Sequence, residues 1–317
     1  MEKNVANLPG RKRGHVLSRL AVAAIAAALV GTSAGSAVAD SNPVPPALKS
    51  LKSIDKGAIA EAIPGNATAS AAAAAPVNSL LAADTSGKLF LYSPNGTGGL
   101  SPRVDLDASG MDLFRTAAQA DHDGDGHSEG TYYWDNFGYM YYFDDNGNSS
   151  DGSGWDIYSK VLAPGNLGST QAYDILARDE AGALWLYKGN ADGTLQSRVK
   201  VGTGWNIYTE LVGQGDLSGD GKADLLARDA SGAMWLYKGT GDAAAPFATR
   251  SSVGTGWNTY NYLMSTGDLN ADGKTDLLAR DTTGALWRYQ GTGNSAAPFT
   301  ARVKIGSSGW NIYRLMF

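Results

Sequence analysis

Three nine-residue stretches of this chain carry oxygen-bearing side chains at positions 1, 3, 5 and 9: Asp121, Asp123, Asp125 and Glu129; Asp216, Ser218, Asp220 and Asp224; Asp268, Asn270, Asp272 and Asp276. Position 6 is glycine each time (Gly126, Gly221, Gly273), which lets the backbone turn sharply. Position 7 (His127, Lys222, Lys274) has the spacing to offer its backbone carbonyl. A chain curled round a cation supplies an oxygen at every second residue, and calcium takes six to eight oxygens at tolerant geometry. Magnesium fits less well, because it keeps its waters and demands stricter angles. The plain alternative is a solvated acidic hairpin, since Asp and Gly are ordinary turn residues. Three copies in one register, each crowding carboxylates that repel one another without a cation, count against it. The expected cofactor is therefore Ca2+, about three ions per chain. A fourth stretch, Asn166 to Asp174, keeps oxygens at its ends but has Gly168 and Thr170 at inner ligand positions, and is expected to hold no ion.

Other chemistry is scarce. Histidine occurs only at His15, His122 and His127, so a Ser-His-Asp triad lacks a free base, and a chain without cysteine has no thiol nucleophile. Paired carboxylates can hydrolyse glycosides, but the clustered ones here are assigned to metal. A hydrolase is the least favoured reading and the chain is expected not to be an enzyme. The aromatic residues offer more. Trp155, Trp205, Trp257 and Trp310 recur with Tyr158, Tyr208, Tyr260 and Tyr313 three positions on. They either present stacking surfaces to sugars or pack one repeat on the next, and packing is the commoner use of residues that recur in every repeat. Trp185, Trp235 and Trp287, flanked by apolar residues, read as core. Arg178, Arg228 and Arg280 each precede an Asp, and read as solvated or as ion pairs between repeats.

These residues are set in a repeat. The phrase Asp, two residues, Gly, one residue, Leu or Met, aromatic, one residue, aromatic starts at Asp84, Asp135, Asp179, Asp229 and Asp281. Gly-Trp, then Asn or Asp, then Tyr follows in four copies, and the stretch around Met111 and Phe114 takes its place in the first. Asp224 to Asp229 reads as a strand, Ala230 to Gly232 as a hairpin turn, and Ala233 to Tyr237 as the returning strand. No segment of the repeat region sustains a 3.6-residue apolar period. Three or four strands per unit of about 50 residues, five times over, predict an all-β fold: a β-propeller of five blades with about four strands each. The first copy lacks its front strand and the last ends with a surplus one. Pairing of the C-terminal strand with the first blade would close the ring and cover two edges.

The acidic loop followed by Asp224 to Asp229, a hairpin and Trp235-Leu236-Tyr237 resembles the FG-GAP or VCBS type of repeat, known from integrin α-chain heads and exported bacterial proteins. The resemblance covers about Val77 to Phe317 and implies a propeller with calcium in loops at the blade edge. It departs from the family in blade number, since seven is usual, and in a loop that is missing from copy one and degraded in copy three. Five blades of this size are closer to tachylectin-type lectins, whose motifs differ. An EF-hand is excluded: position 12 of the three loops is Tyr132, Ala227 or Ala279 where a carboxylate is needed.

Residues 1–39 read as a secretory signal, with basic residues to Arg19, an apolar run from Leu20 to Val30, and small residues before a cleavage point after Ala39. The run has 11 residues where a bilayer span takes about 20, so no membrane span is expected in the mature protein. Residues 40–76, rich in Ala, Ser and Pro, read as a linker with at most a short helix, and 77–317 as the propeller. The formal charge is −5. Residues 1–39 hold Lys3, Arg11, Lys12, Arg13 and Arg19 against Glu2, so the mature part is more acidic still and nucleic acid is not an expected partner. The functional expectation is a secreted, extracellular, non-catalytic binding module for glycans or surface proteins. Its alternative is a structural or adhesive protein whose calcium only rigidifies the ring.

Overall fold

The computed structural model describes residues 75–144, 149–168 and 170–317. The signal reading, and the linker up to residue 74, lie outside the described residues. Each sequence repeat contributes two adjacent strands at a fixed hairpin, and the hairpin shows why. In the fourth blade Asp229 Oδ1 accepts the backbone N–H groups of Ser231 (2.9 Å) and Ala233 (3.1 Å), while Oδ2 accepts the Trp235 indole N–H at 3.0 Å. Gly232 closes the turn at φ 82°, a conformation that a Cβ disfavours. The Ser231 hydroxyl and the Trp235 indole hold the Asp229 carboxyl at about 2.

Among the described residues, twenty strands form five four-stranded antiparallel sheets. The first blade contains β1 (Leu80–Asp84), β2 (Leu89–Tyr92) and β3 (Val104–Ala108). The second has β4 (Phe114–Ala120), β5 (Gly130–Asp135), β6 (Met140–Asp144) and β7 (Ser149–Gly152). The third has β8 (Tyr158–Gly165), β9 (Asp174–Asp179), β10 (Leu184–Tyr187) and β11 (Val199–Gly202). The fourth has β12 (Tyr208–Val212), β13 (Leu225–Asp229), β14 (Met234–Tyr237) and β15 (Ser251–Gly254). The fifth has β16 (Tyr260–Gly267), β17 (Asp276–Asp281), β18 (Leu286–Tyr289) and β19 (Val303–Gly306). The last strand, β20 (Tyr313–Met316), returns to pair with β1, Ala82 opposite Met316, and completes the first blade. The five-bladed ring and its closure are those expected from the repeat.

The innermost strands β4, β8, β12, β16 and β20 line a central cavity of about 340 Å³. Between blades lie apolar layers. Leu176, Leu184 and Leu186 of the third blade pack on Trp205, Tyr208, Leu225 and Ala227 of the fourth, and the pattern repeats around the ring. Each fully buried Leu contributes roughly 1.5–3 kcal/mol.

A 3-10 turn precedes β4, β12, β16 and β20, and a hydrogen-bonded turn at Trp155 to Tyr158 precedes β8; each is bound to the blade before it. Met111, Trp155, Trp205, Trp257 and Trp310 donate their backbone N–H to Gly87, Gly138, Gly182, Gly232 and Gly284. An arginine then caps the far side of four of these turns in a shared way. Arg178 Nη1 donates to the carbonyls of Trp205 (3.1 Å) and Tyr208 (2.6 Å), and Arg228 and Arg280 do the same at Trp257/Tyr260 and Trp310/Tyr313. In the second blade Arg115, from the innermost strand, reaches the Trp155 and Tyr158 carbonyls. Arg314 serves the fifth interface through the Met111 carbonyl. Arg178, Arg228 and Arg280 thus join blades as expected, but through backbone oxygens rather than ion pairs, because the 3-10 turn leaves its carbonyls without helical partners.

Candidate metal centres

The three acidic loops join the innermost strand of a blade to its second strand, at the opposite end from the 3-10 turns: β4 to β5, β12 to β13, and β16 to β17. They therefore sit by the ring axis rather than at an outer blade edge. Position 9 stands at the start of the second strand (Asp276) or just before it (Glu129, Asp224) and is buried: Glu129 is 8% exposed, and Asp224 and Asp276 are 0%.

In the first loop Asp121, Asp123, Asp125 and Glu129 each bring one oxygen within 4.8 Å of the others, and in the second Asp216, Asp220 and Asp224 do so. Backbone donors hold the position-1 acid facing inward. Asp121 accepts Gly124 N–H (2.6 Å) and Gly126 N–H (2.8 Å), and Asp216 accepts Gly219 N–H (2.7 Å) and Gly221 N–H (2.6 Å). Gly124 and Gly219 are left-handed, at φ 76° and 83°. Burial pushes the Asp121 carboxyl up to about 6, with Asp125 and Asp123 adding repulsion. Burial raises Glu129 to about 8, with Asp121 and Asp123 adding to it. Groups held so far above the ordinary carboxylate range are short of positive charge, and the donor set is all hard oxygen, which fits calcium.

The third loop differs. Asp268, Asp272 and Asp276 are not among the described groups that converge within 4.8 Å. Asp272 Oδ2 instead accepts the side-chain amides of Asn270 (3.0 Å) and Gln290 (2.7 Å). Asp276 Oδ2 accepts Leu269 N–H at 3.2 Å and lies 3.4 Å from Arg288 Nη1. Ala271 takes φ 60° where the other loops have glycine.

Position 9 also has a task that spacing alone does not reveal. Asp174, Asp224 and Asp276 each accept one N–H of the loop (Leu167, Leu217, Leu269) and one from beyond the second hairpin strand (Gly189, Gly239, Gly291). Asp174 does this in the stretch that lacks inner carboxylates. The clue in the sequence was that the degraded copy kept its last acid. His127 Nδ1 lies 3.1 Å from the Val77 carbonyl oxygen, and the position-7 residues Lys222 and Lys274 follow exposed turns.

The recurring aromatics are inside. Trp155, Trp205, Trp257 and Trp310 are 5–9% exposed and Tyr158, Tyr208, Tyr260 and Tyr313 are 1–3%. Each Trp leans on a tyrosine of its blade, as Trp205 on Tyr237 at 4.7 Å, and each of the four tyrosines shares a hydroxyl contact with that partner, as Tyr208 with Tyr237 at 2.5 Å. They form no free stacking platform, because these rings fill the seams between blades. Trp185, Trp235 and Trp287 are half-buried rather than core, with Arg198, Arg250 and Arg302 over their rings at 4.1, 4.1 and 4.2 Å.

Comparison with known proteins matches residues 216–279 to the FG-GAP-like repeat, a span that runs from the second acidic loop through the third. The described residues thus form a five-bladed β-propeller, of which residues 216–279 are similar to the FG-GAP-like repeat. No curated protein matches the chain. Among solved structures, a Bacteroides caccae protein of unknown function is 10% identical with a TM-score of 0.38, covering 71% of this chain and 72% of that one. Prp20p from Saccharomyces cerevisiae is 8% identical with a TM-score of 0.37 (72% and 61% covered). An arginine-to-alanine mutant of AofleA from Arthrobotrys oligospora is 9% identical with a TM-score of 0.43 (74% and 73% covered).

Proposed function

We propose that the chain is an exported, calcium-binding propeller that works as a non-catalytic binding module for a glycan or a surface protein. The observation that carries the metal part is the convergence of Asp121, Asp123, Asp125 and Glu129 within 4.8 Å, with Asp121 and Glu129 buried. Bound calcium would neutralise these acids and fix each loop against the strand that follows. For the partner, the face opposite the loops offers Phe137 (68% exposed), Ile157, Ile207 and Ile312 in the hairpin and 3-10 turns around the axis. Catalysis is not proposed: His122 is buried against Tyr132 and Tyr142, and His127 bonds the chain at Val77.

A second reading, a structural or adhesive protein, is favoured by the burial of all eight recurring aromatics, which are then framework and nothing else. A glycan array probed in calcium and again in chelator separates the two. Glycan binding that disappears with chelator supports the module. Silence on the array, with a melting temperature that still rises in calcium, supports the structural reading. Export is checked by N-terminal sequencing of secreted protein, expected to begin at Asp40.

A further inference from the structure

We infer that Arg288 takes the place of the metal ion in the third loop, so that the ring holds two calcium ions and one built-in cation. The inference rests on the reading that the acidic loops bind calcium.

The third strand of every blade has an equivalent position pointing to the next blade: Leu91, Tyr142, Leu186, Leu236 and Arg288. Four blades place an apolar or aromatic side chain there, and the fifth places a guanidinium that is 7% exposed. Its Nη1 lies 3.4 Å from the buried Asp276 Oδ2. In the second loop that oxygen's equivalent, Asp224 Oδ2, accepts Ser218 N–H at 2.8 Å, and Asp276 has no such donor from Asn270. Asp268 keeps the backbone donors that the position-1 acid has in the other loops, but Asp272 is turned to the side-chain amides of Asn270 and Gln290. Among the described residues, Asn270 Oδ1 is a buried side-chain oxygen of the loop without a donor. A single neutral amide oxygen does not offset the repulsion between a dication and a guanidinium on the same carboxylate.

The position is tuned to the neighbouring blade as well. Gly98, left-handed at φ 86°, stands where any side chain would collide with the Arg288 guanidinium, and its N–H donates to Leu269 O at 3.2 Å. Arg288 therefore lies at the seam where the N-terminal strands β1 to β3 meet the fifth blade. A buried, covalently attached cation keeps that seam when calcium is removed, whereas at the second loop Lys238, 3.7 Å from Asp220 Oδ2, is exposed to solvent and screened.

The test is a count of bound calcium, by titration calorimetry with calcium chloride on chelator-treated chain, for the wild type and for Arg288→Leu, which restores the residue of the fourth blade. The expected counts are two and three. Three ions in the wild type, or no gain in Arg288→Leu, would overturn the inference while leaving the calcium reading intact. No binding by either protein would instead overturn the calcium reading and this inference with it. If Arg288→Leu does not fold, Arg288→Met keeps the side-chain length without the charge and has the same expected count. The wild-type count decides even without a variant.

Discussion

Asp174 and Asp220 separate two jobs that acidic residues do in these loops. Asp174 clasps backbone N–H groups in a stretch without a cluster of acids, whereas Asp220 is partly exposed and belongs to the converging set. Asp174→Ala should therefore cost about 1–3 kcal/mol at any calcium concentration, since it leaves buried donors unpaired. Asp220→Ala should leave the chelated protein's melting temperature unchanged and abolish the second loop's share of the gain with calcium. Differential scanning calorimetry in chelator and in millimolar calcium reads both. The pH dependence follows from the same burial. Asp121, Asp174, Asp224 and Asp276 are raised to about 6 and Glu129 to about 8, above their unfolded values. The folded state thus binds their protons more tightly, a contribution present in full below about pH 4 and lost as pH rises through 6 and then 8. Chelated protein should melt progressively lower from pH 5 to pH 8. The rise in melting temperature on adding calcium should grow over the same interval, and a rise independent of pH would contradict it. At this scale the sequence was informative about residue type and less so about role. Spacing identified the oxygens, but Arg288 has no neighbour in sequence that announces its partner Asp276, and the burial of Trp205 or Tyr208 depends on a blade that arrives from elsewhere in the chain.

At the scale of elements, the hairpin and the 3-10 turn are one joint made by two blades. The Gly232 carbonyl accepts Trp257 N–H at 3.0 Å, and Arg228, on the strand leading into the same hairpin, reaches round to the Trp257 and Tyr260 carbonyls. Arg228→Ala removes two donors from partly buried oxygens and should lower stability by about 1–3 kcal/mol, and Arg228→Lys should recover only part of it, because an ammonium lacks the planar fork. Urea denaturation measures this, and a Lys variant equal to wild type would show that charge alone suffices. The hairpins were legible because Asp, Gly and aromatic residues at fixed offsets are themselves the local cause of the turn. The arginine caps were not, since their acceptors are backbone carbonyls, which every residue has, and only three-dimensional position selects them. Arg115 and Arg314 do this work from the innermost strand, outside the repeated phrase altogether.

Across the whole molecule, the ring is held closed by a short strand whose pairing partner lies at the other end of the described chain. Leu81 and Phe317 exchange both backbone hydrogen bonds, at 2.8 and 2.9 Å, and Leu315 and Met316 are buried among residues of the first blade and its neighbours. This closure was readable from the sequence because a missing front strand and a surplus final one are complementary. A second tie was not readable. Residues 76–79 cross the loop end of the ring, with Val77 N–H on Gly126 O, Asp268 N–H on Pro76 O and Asn78 N–H on Thr266 O, so the segment bridges the first and third acidic loops. The chain thus engages the ring already at Pro76, the last residue assigned to the linker. Closure demands contacts between distant parts of the chain, and without β20 the edge of β1 is open to other chains. Removing Tyr313 to Phe317 should leave that edge exposed permanently. The truncated protein is expected to elute as higher oligomers in size-exclusion chromatography and to lose the single cooperative melting transition. A monomer that melts in one step would mean that four blades and an open first sheet suffice, and that β20 decorates the ring rather than closing it.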